Sequence, residues 1–406
     1  MGPVGALFKW QVSLAKSAGK KYAYYFDKPL ADYPANMPEF TLVTAFSGNI
    51  SAMSDEQSVE TNAPIAVSPA PDVVAPDPAQ RGDVAAKAIL LRLLDELVAN
   101  EVGVLQNEDP EYLHDFRIAV RRTRSALGQI KGVFPDRTVQ RFAPRFAWLG
   151  KITSPPRDFD VYLIGFDELK AGLAEHFRDS IEPLRGFLEN HCDFAHGELT
   201  RQIHSARYRA LLADWRKFLL ANCPKNPQAP NALMPIKQIA DKRIWKLFRR
   251  VLKQGRGICK DTPAENIHEL RKTCKKLRYL LEFFRDLYPA EGIDKPIKKL
   301  KKLQNYLGDF QDVHARIAML RGISHEMRKN TTVHTDALLA LGVLLANLDS
   351  RQSGLRKAFS DHFRPFAHAR NRELFRGLFK PCLADNTVEC AGSPAGDPVA
   401  VKNRSH

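Results

Sequence analysis

The chain has 406 residues, 44% of them hydrophobic, so it can bury a sizeable core, and at about 100–200 residues per domain it holds two or three units. Its 61 lysines and arginines against 46 aspartates and glutamates leave a net charge of +15 and a pI near 9.5, which makes a polyanion the first partner class to consider. No run of about 18 apolar residues argues for a membrane span, and six scattered cysteines without a Cys-x-x-Cys pair exclude a zinc ribbon and fit a reducing, cytoplasmic setting.

Residues 1–54 open on a brief apolar stretch without a basic leader, so secretion is not expected. They contain short aromatic stretches at 22–26 and 39–43, too few to define a domain, and remain an unassigned segment. Residues 55–85, with Pro64, Pro69, Pro71, Pro76 and Pro78 among alanines, valines and acids, have the composition of a linker. From 86 to 372, helix-length stretches with apolar residues three and four apart are separated by breaks at Pro110, Pro135, Pro155-Pro156, Pro224 to Pro230, Pro263 and Pro289. Nothing there alternates like a sheet, so an all-α architecture of antiparallel helices is expected, followed by a disordered tail at 383–406.

One internal repeat stands out. His114-Asp115-Phe116-Arg117-Ile118-Ala119-Val120-Arg121-Arg122-Thr123-Arg124 matches His268-Glu269-Leu270-Arg271-Lys272-Thr273-Cys274-Lys275-Lys276-Leu277-Arg278 at a constant offset, 268 − 114 = 154. The match runs without a gap to Phe134-Pro135 and Tyr288-Pro289. Helical spacing sorts it into two stripes. Phe116, Val120, Thr123, Leu127, Ile130 and Phe134, with Leu270, Cys274, Leu277, Leu281, Phe284 and Tyr288, form a core stripe. His114, Arg117, Arg121 and Arg124, with His268, Arg271, Lys275 and Arg278, form a basic one, flanked by Arg122 and Lys276.

Like charges at i, i+3 and i+4 destabilise a helix by roughly 0.2–0.5 kcal/mol per pair, and only Asp115 and Glu269 relieve this stripe. An anion bridging the bases converts that repulsion into charge-assisted contacts suited to arginine forks. The histidines, one turn before the arginines, could cap or pack; as ligands they would donate to phosphate, and a bound polyanion would favour the imidazolium. A metal role is not expected of them, since neither has a second histidine or carboxylate at i+3 or i+4. Each copy continues into a second basic helix, with Arg137, Arg141, Arg145 and Lys151 in the first and Lys295, Lys298, Lys299, Lys301 and Lys302 in the second. Each then reaches an acidic turn, Arg157-Asp158-Phe159-Asp160-Val161 and Gly308-Asp309-Phe310-Gln311-Asp312-Val313, whose acids are expected to cap helices or orient arginines.

The pattern His-x-x-Arg-x-x-x-Arg-Arg-x-Arg before an apolar run and Phe-Pro, an Arg-Asp-x-Asp turn and a second His-x-x-Arg-x-x-x-Lys-Lys-x-Arg-Tyr resembles the CHAD family of conserved-histidine α-helical domains. The resemblance covers about residues 86–370. It implies two four-helix bundles, about 86–220 and 230–372, related by pseudo-twofold symmetry, with the repeated basic helices lining a central channel. It also implies binding of inorganic polyphosphate and association with polyphosphate granules and their other proteins. Carried over residue by residue, the polyphosphate site comprises His114, Arg117, Arg121, Arg122, Arg124, Arg141, Arg145, Lys151, Arg157, His268, Arg271, Lys275, Lys276, Arg278, Lys298 and Lys302. The segment Ser205-Ala206-Arg207-Tyr208 resembles a family segment late in the first bundle and adds Arg207. Departures are Thr153, where glycine is usual, and the Ser154-Pro155-Pro156 that follows. Lys16-Ser17-Ala18-Gly19-Lys20-Lys21-Tyr22 resembles the end of a CYTH triphosphatase domain, a remnant without that family's Glu-x-Glu-x-Lys signature.

The expected function is non-catalytic polyphosphate binding, with no metal and no cofactor. RNA or ribosome binding through the same charge is the alternative; single-stranded nucleic acid would call for exposed aromatic platforms beside the bases, and the aromatics of the repeat fall largely on the core stripe. An enzyme of phosphate esters or anhydrides is a third class, but no Gly-x-x-x-x-Gly-Lys-Ser/Thr, Gly-x-Gly-x-x-Gly or His-Glu-x-x-His occurs.

Overall fold

The computed structural model describes residues 77–327 and 335–380. The 1–54 segment, most of the linker and the 383–406 tail lie outside them. The described residues form helices α1 (Gly82–Ala99), α2 (Glu101–Gln106), α3 (Pro110–Gln129), α4 (Asp136–Ile152), α5 (Ser154–Ile164), α6 (Phe166–Ala171), α7 (Glu175–Arg178) and α8 (Glu182–Ile203). They continue as α9 (Ala206–Leu220), α10 (Ile236–Arg256), α11 (Ala264–Phe283), α12 (Ala290–Met327), α13 (Thr335–Ala367) and α14 (Ala369–Phe379). The fold is all-α, with no strand among the described residues and no helix long and apolar enough to cross a membrane.

Most of the prolines that punctuate the sequence fall at helix starts, where a missing N–H costs nothing, while Pro224 to Pro230 lie in the loop between α9 and α10. Pro110 opens α3 behind Asp109, whose carboxylate accepts from Glu111 N at 2.8 Å. Pro135 and Pro263 stand at the N-caps of α4 and α11, and Pro155 and Pro156 lie in the first turn of α5. All twelve residues of the core stripe are buried.

The repeat is wider in space than the basic helices alone. Gly82 N donates to Met234 O at 2.9 Å and Ile236 N donates to Gln80 O at 2.9 Å. These four residues are two pairs at the same offset of 154 (234 − 80 and 236 − 82), so the two bonds exchange under a twofold operation that maps α1 onto α10. Gly82 permits this approach: a Cβ there would sit 2.4 Å from Ile239 Cδ1 and 2.9 Å from Asn231 O. The linker therefore gives way to structure before residue 86, because the chain ahead of α1 is pinned to its counterpart ahead of α10.

Around that axis α1 packs on α3, α10 on α11, and α3 on α11. One difference between the halves has a direct cause in the sequence. Thr153-Ser154-Pro155-Pro156 breaks the first copy into α4 and α5, whereas Leu307-Gly308-Asp309-Phe310 carries no proline and the second copy runs through as the 38-residue α12. Two apolar cores result. The larger joins both halves through α1, α3, α4, α9, α10, α11, the first part of α12 and α14, with Trp215, Phe116, Phe248 and Phe375 fully buried. The smaller gathers Phe166, Leu184 and Leu188 with Val313, Ile317 and Leu320 of α12 and Ala340, Leu341 and Leu344 of α13. In the first copy the cores are separated between Leu149 and Phe166, and in the second between Phe310 and Val313.

Gly82→Ala should therefore destabilise the protein by about 1–3 kcal/mol, because backbone as well as a side chain blocks the added carbon. Gly128→Ala, inside α3 with open space around its Cβ position, should instead stabilise it by about 0.5–1 kcal/mol. Urea unfolding midpoints of the two variants check the contrast.

Candidate functional site

Since α3 and α11 bury their core stripes on either side of the pseudo-twofold axis, their basic stripes are brought to face one another. Lys275 carries this most clearly. Its ammonium feels Arg271 and Arg278 of its own helix and also Arg121, the residue at its own position in the other copy. Burial first, then Arg271 and Arg121, push the amine down to about 7, with only Asp312 opposing the arginines. Arg117 is in the same condition. Its Nη1 donates to Thr153 Oγ1 at 3.2 Å and Ser154 Oγ at 3.1 Å. Burial pushes the guanidinium down to about 10; Asp158 resists, while Arg121 and Arg157 add to the effect. Arg117 and Lys275 are only half-buried by surface area, so both keep some access to water where α3 and α11 meet.

The offset also governs the contacts of the histidines. Arg157 Nη2 donates to His114 Nδ1 at 3.1 Å, and its Nη1 donates to Pro110 O at 3.0 Å. In the second copy His268 Nδ1 lies 2.7 Å from Gln311 Oε1, and 311 − 157 = 154. The partners fix opposite tautomers: His114 Nδ1 accepts, whereas His268 Nδ1 carries the proton. Both rings are held below the ordinary histidine value, chiefly by burial, with Arg157 adding to it at His114 and the Gln311 bond opposing it at His268. Without an anion both are neutral at pH 7, so an imidazolium beside a polyanion would have to form on binding.

Two carboxylates complete the symmetry. Asp158 and Asp312, again 154 apart, are exposed by area yet walled by protein; burial raises both above the usual carboxylate value while Arg117 at the one and Arg271 at the other resist. Arg271 Nη2 approaches Asp312 Oδ1 at 3.9 Å. The Tyr162 hydroxyl feels both carboxylates, pushed up by burial and then by Asp158, with Arg316, its own counterpart at the offset, resisting. The acidic turns thus set carboxylates beside arginines, and they do so where the two cores separate.

The remaining sequence-derived candidates lie on and beside these helices. Arg124 sits over Gly150, its Nη1 2.7 Å from where a Cβ would be, and Arg278 pairs with Glu282 at 3.0 Å. Arg122 reaches Glu96 of α1 at 3.2 Å and lies over Phe283. Arg141 and Arg145 converge on Asp214 of α9 at 2.7 and 2.8 Å, and Arg207 stacks on Trp148, 4.2 Å from its ring centre. Lys151, Lys276, Lys298 and Lys302 are exposed on α4, α11 and α12. The structure therefore brings together His114, Arg117, Arg121, Arg157, His268, Arg271 and Lys275, and distributes the others on flanking faces. Sequence reasoning missed Thr153, Ser154, Tyr162 and Arg316; extending the offset beyond Pro289 to Tyr162 and Arg316 would have found the last two.

Among solved structures the chain is similar to the crystal structure of the CHAD domain from the plant Ricinus communis, at 25% identity and a TM-score of 0.59, covering 71% of this chain and 93% of that one. It is similar in fold to PptA from Streptomyces chartreusis, at 19% identity and a TM-score of 0.52, covering 70% of this chain and 99% of that one. No curated protein matches the chain. The CHAD domain model matches residues 88–321, more than half of the chain and the part that holds both basic stripes. The chain belongs to the CHAD domain family.

Proposed function

We propose that this protein binds inorganic polyphosphate without catalysis, in the cleft where α3 and α11 face each other, and that this binding targets it to polyphosphate granules. The observation that carries the reading is the juxtaposition of Arg121 with Lys275 across the pseudo-twofold axis, beside Arg117 and Arg271. Same-sign groups packed closely enough to depress the Lys275 amine and the Arg117 guanidinium are unfavourable without a counterion, and two aspartates beside them are too few to neutralise them. A chain of phosphates supplies the missing charge at successive positions and asks nothing else of the site. Three of the four aromatics of α3 and α11, Phe116, Tyr279 and Phe283, are buried, which supports a phosphate chain over a base-bearing strand; Tyr112 packs on Gly103 and stays 43% exposed.

Titration with long-chain polyphosphate, and separately with single-stranded RNA of equal charge at matched ionic strength, tests this. Wild type should prefer polyphosphate, and Arg117→Ala/Arg271→Ala should bind about 100-fold or more weakly, at roughly 1.5–3 kcal/mol for each charge-assisted hydrogen bond removed. Its logarithmic salt slope should also become shallower, by about one for each phosphate that the variant no longer neutralises. Equal affinity for RNA, or an unaffected variant, would refute the proposal.

The depressed Lys275 sets a pH dependence whose sign follows from the charged form being the one an anion prefers. Affinity should fall by about tenfold between pH 7 and pH 8.5 as the free amine deprotonates, with proton uptake accompanying binding at the higher pH. Arg121, Arg271 and Arg278 press on the amine from one side of the balance and Asp312 from the other. Lys275→Arg should flatten the profile. Calorimetry in buffers of different ionisation enthalpy measures both the affinity and the proton count.

A further inference from the structure

Away from the cleft, α5 and α8 enclose a cluster that phosphate binding does not use. Cys192 and His196 lie one turn apart on α8, at the i and i+4 spacing that puts two ligands on one helix face. Asp160 of α5 meets them, with His196 Nε2 2.8 Å and Cys192 Sγ 3.4 Å from its Oδ1. The three side chains are buried, at 7% exposure for Asp160, 8% for Cys192 and 7% for His196. One ligand atom from each lies within 4.8 Å of the others. The other carboxylate oxygen, Asp160 Oδ2, is buried with no hydrogen-bond partner. A buried carboxylate oxygen left unsatisfied costs about 1–3 kcal/mol or more, so it marks a place where a partner belongs.

We propose that Asp160, Cys192 and His196 form a zinc site. A thiolate sulfur, an imidazole nitrogen and a carboxylate oxygen are the donor types zinc takes, and three protein ligands leave a fourth position for water. On binding, the Cys192 S–H bond breaks and an S–Zn bond forms, while the proton leaves to solvent; the two anionic ligands then balance the dication. Oδ2 gains its missing partner, whether it ligates directly or accepts from the bound water. Because Asp160 follows the Arg157-Asp158 pair on α5, the ion would tie the segment that carries those cleft residues to α8.

The full-length protein, stripped with a chelator and dialysed, should be titrated without polyphosphate, first with Zn²⁺ against a chromophoric indicator and then with Co²⁺. The expected result is one tight equivalent of zinc and a thiolate-to-cobalt charge-transfer absorption in wild type. Both should persist in Cys259→Ser, which removes the exposed thiol, and weaken at least 100-fold in Cys192→Ser and in the isosteric Asp160→Asn. Failure of wild type to take up a stoichiometric ion, or an unchanged cobalt spectrum in Cys192→Ser, would overturn the site and leave a hydrogen-bonded triad. Should Cys192→Ser fail to fold, presence or absence of the thiolate band in wild type decides the matter.

Discussion

Everything distinctive about this structure depends on like charges being held face to face. Isolated, α3 and α11 would turn their cationic stripes apart; in the fold, apolar stripes on the adjacent faces of the same helices fix where the bases point. Phe116, Val120 and Leu127 in one copy and Leu270, Leu277 and Leu281 in the other are essentially removed from water. Burying such a side chain is worth about 1.5–3 kcal/mol, several times the repulsion of an exposed like-charged pair, so the core wins and the cleft stays charged. The symmetric backbone bonds of Gly82 and Ile236 fasten the same axis. The depressed Lys275 and Arg117 are the record of that competition.

The symmetry is one of position more than of chemistry. Arg157 and Gln311 occupy equivalent places and touch the equivalent histidines, His114 and His268, yet one donates and the other accepts. Arg117 leans on the hydroxyls of Thr153 and Ser154, while Arg271 Nη2 passes 3.5 Å from the Cβ position of Gly308. The two ends of the cleft therefore differ in hydrogen bonding at the histidines, and Arg157 gives the first end a cation where the second has the neutral Gln311. A uniform polymer can accept both ends, because it presents the same oxygens at each repeat.

The helical class, the repeat and the core stripe were legible because each rests on periodicity, which sequence displays directly: apolar residues at helical spacing and prolines at helix starts. The identity of the facing pair was also legible in outline, since Arg121 and Lys275 share a register position. What sequence could not separate was a basic residue turned into the cleft from one already answered by an acid on another helix. Arg141 and Arg145 have the same local pattern as a phosphate-binding face, but Asp214, some seventy residues on, meets them both. Thr153 and Ser154 likewise read as a departure from the expected glycine and turn out to be the hydroxyls that hold Arg117. The Asp160, Cys192 and His196 cluster was invisible because its third member comes from another helix, and because neither histidine of the repeat belongs to it.

A crystal structure of the protein with a bound polyphosphate oligomer tests the central claim most directly. Phosphate oxygens are expected within hydrogen-bonding distance of Arg117 and Arg121 from one copy and of Arg271 and Lys275 from the other, on a single continuous chain crossing the pseudo-twofold axis. Polyphosphate lying only along the exposed lysines of α12, such as Lys298 and Lys302, with the cleft filled by water, would contradict it.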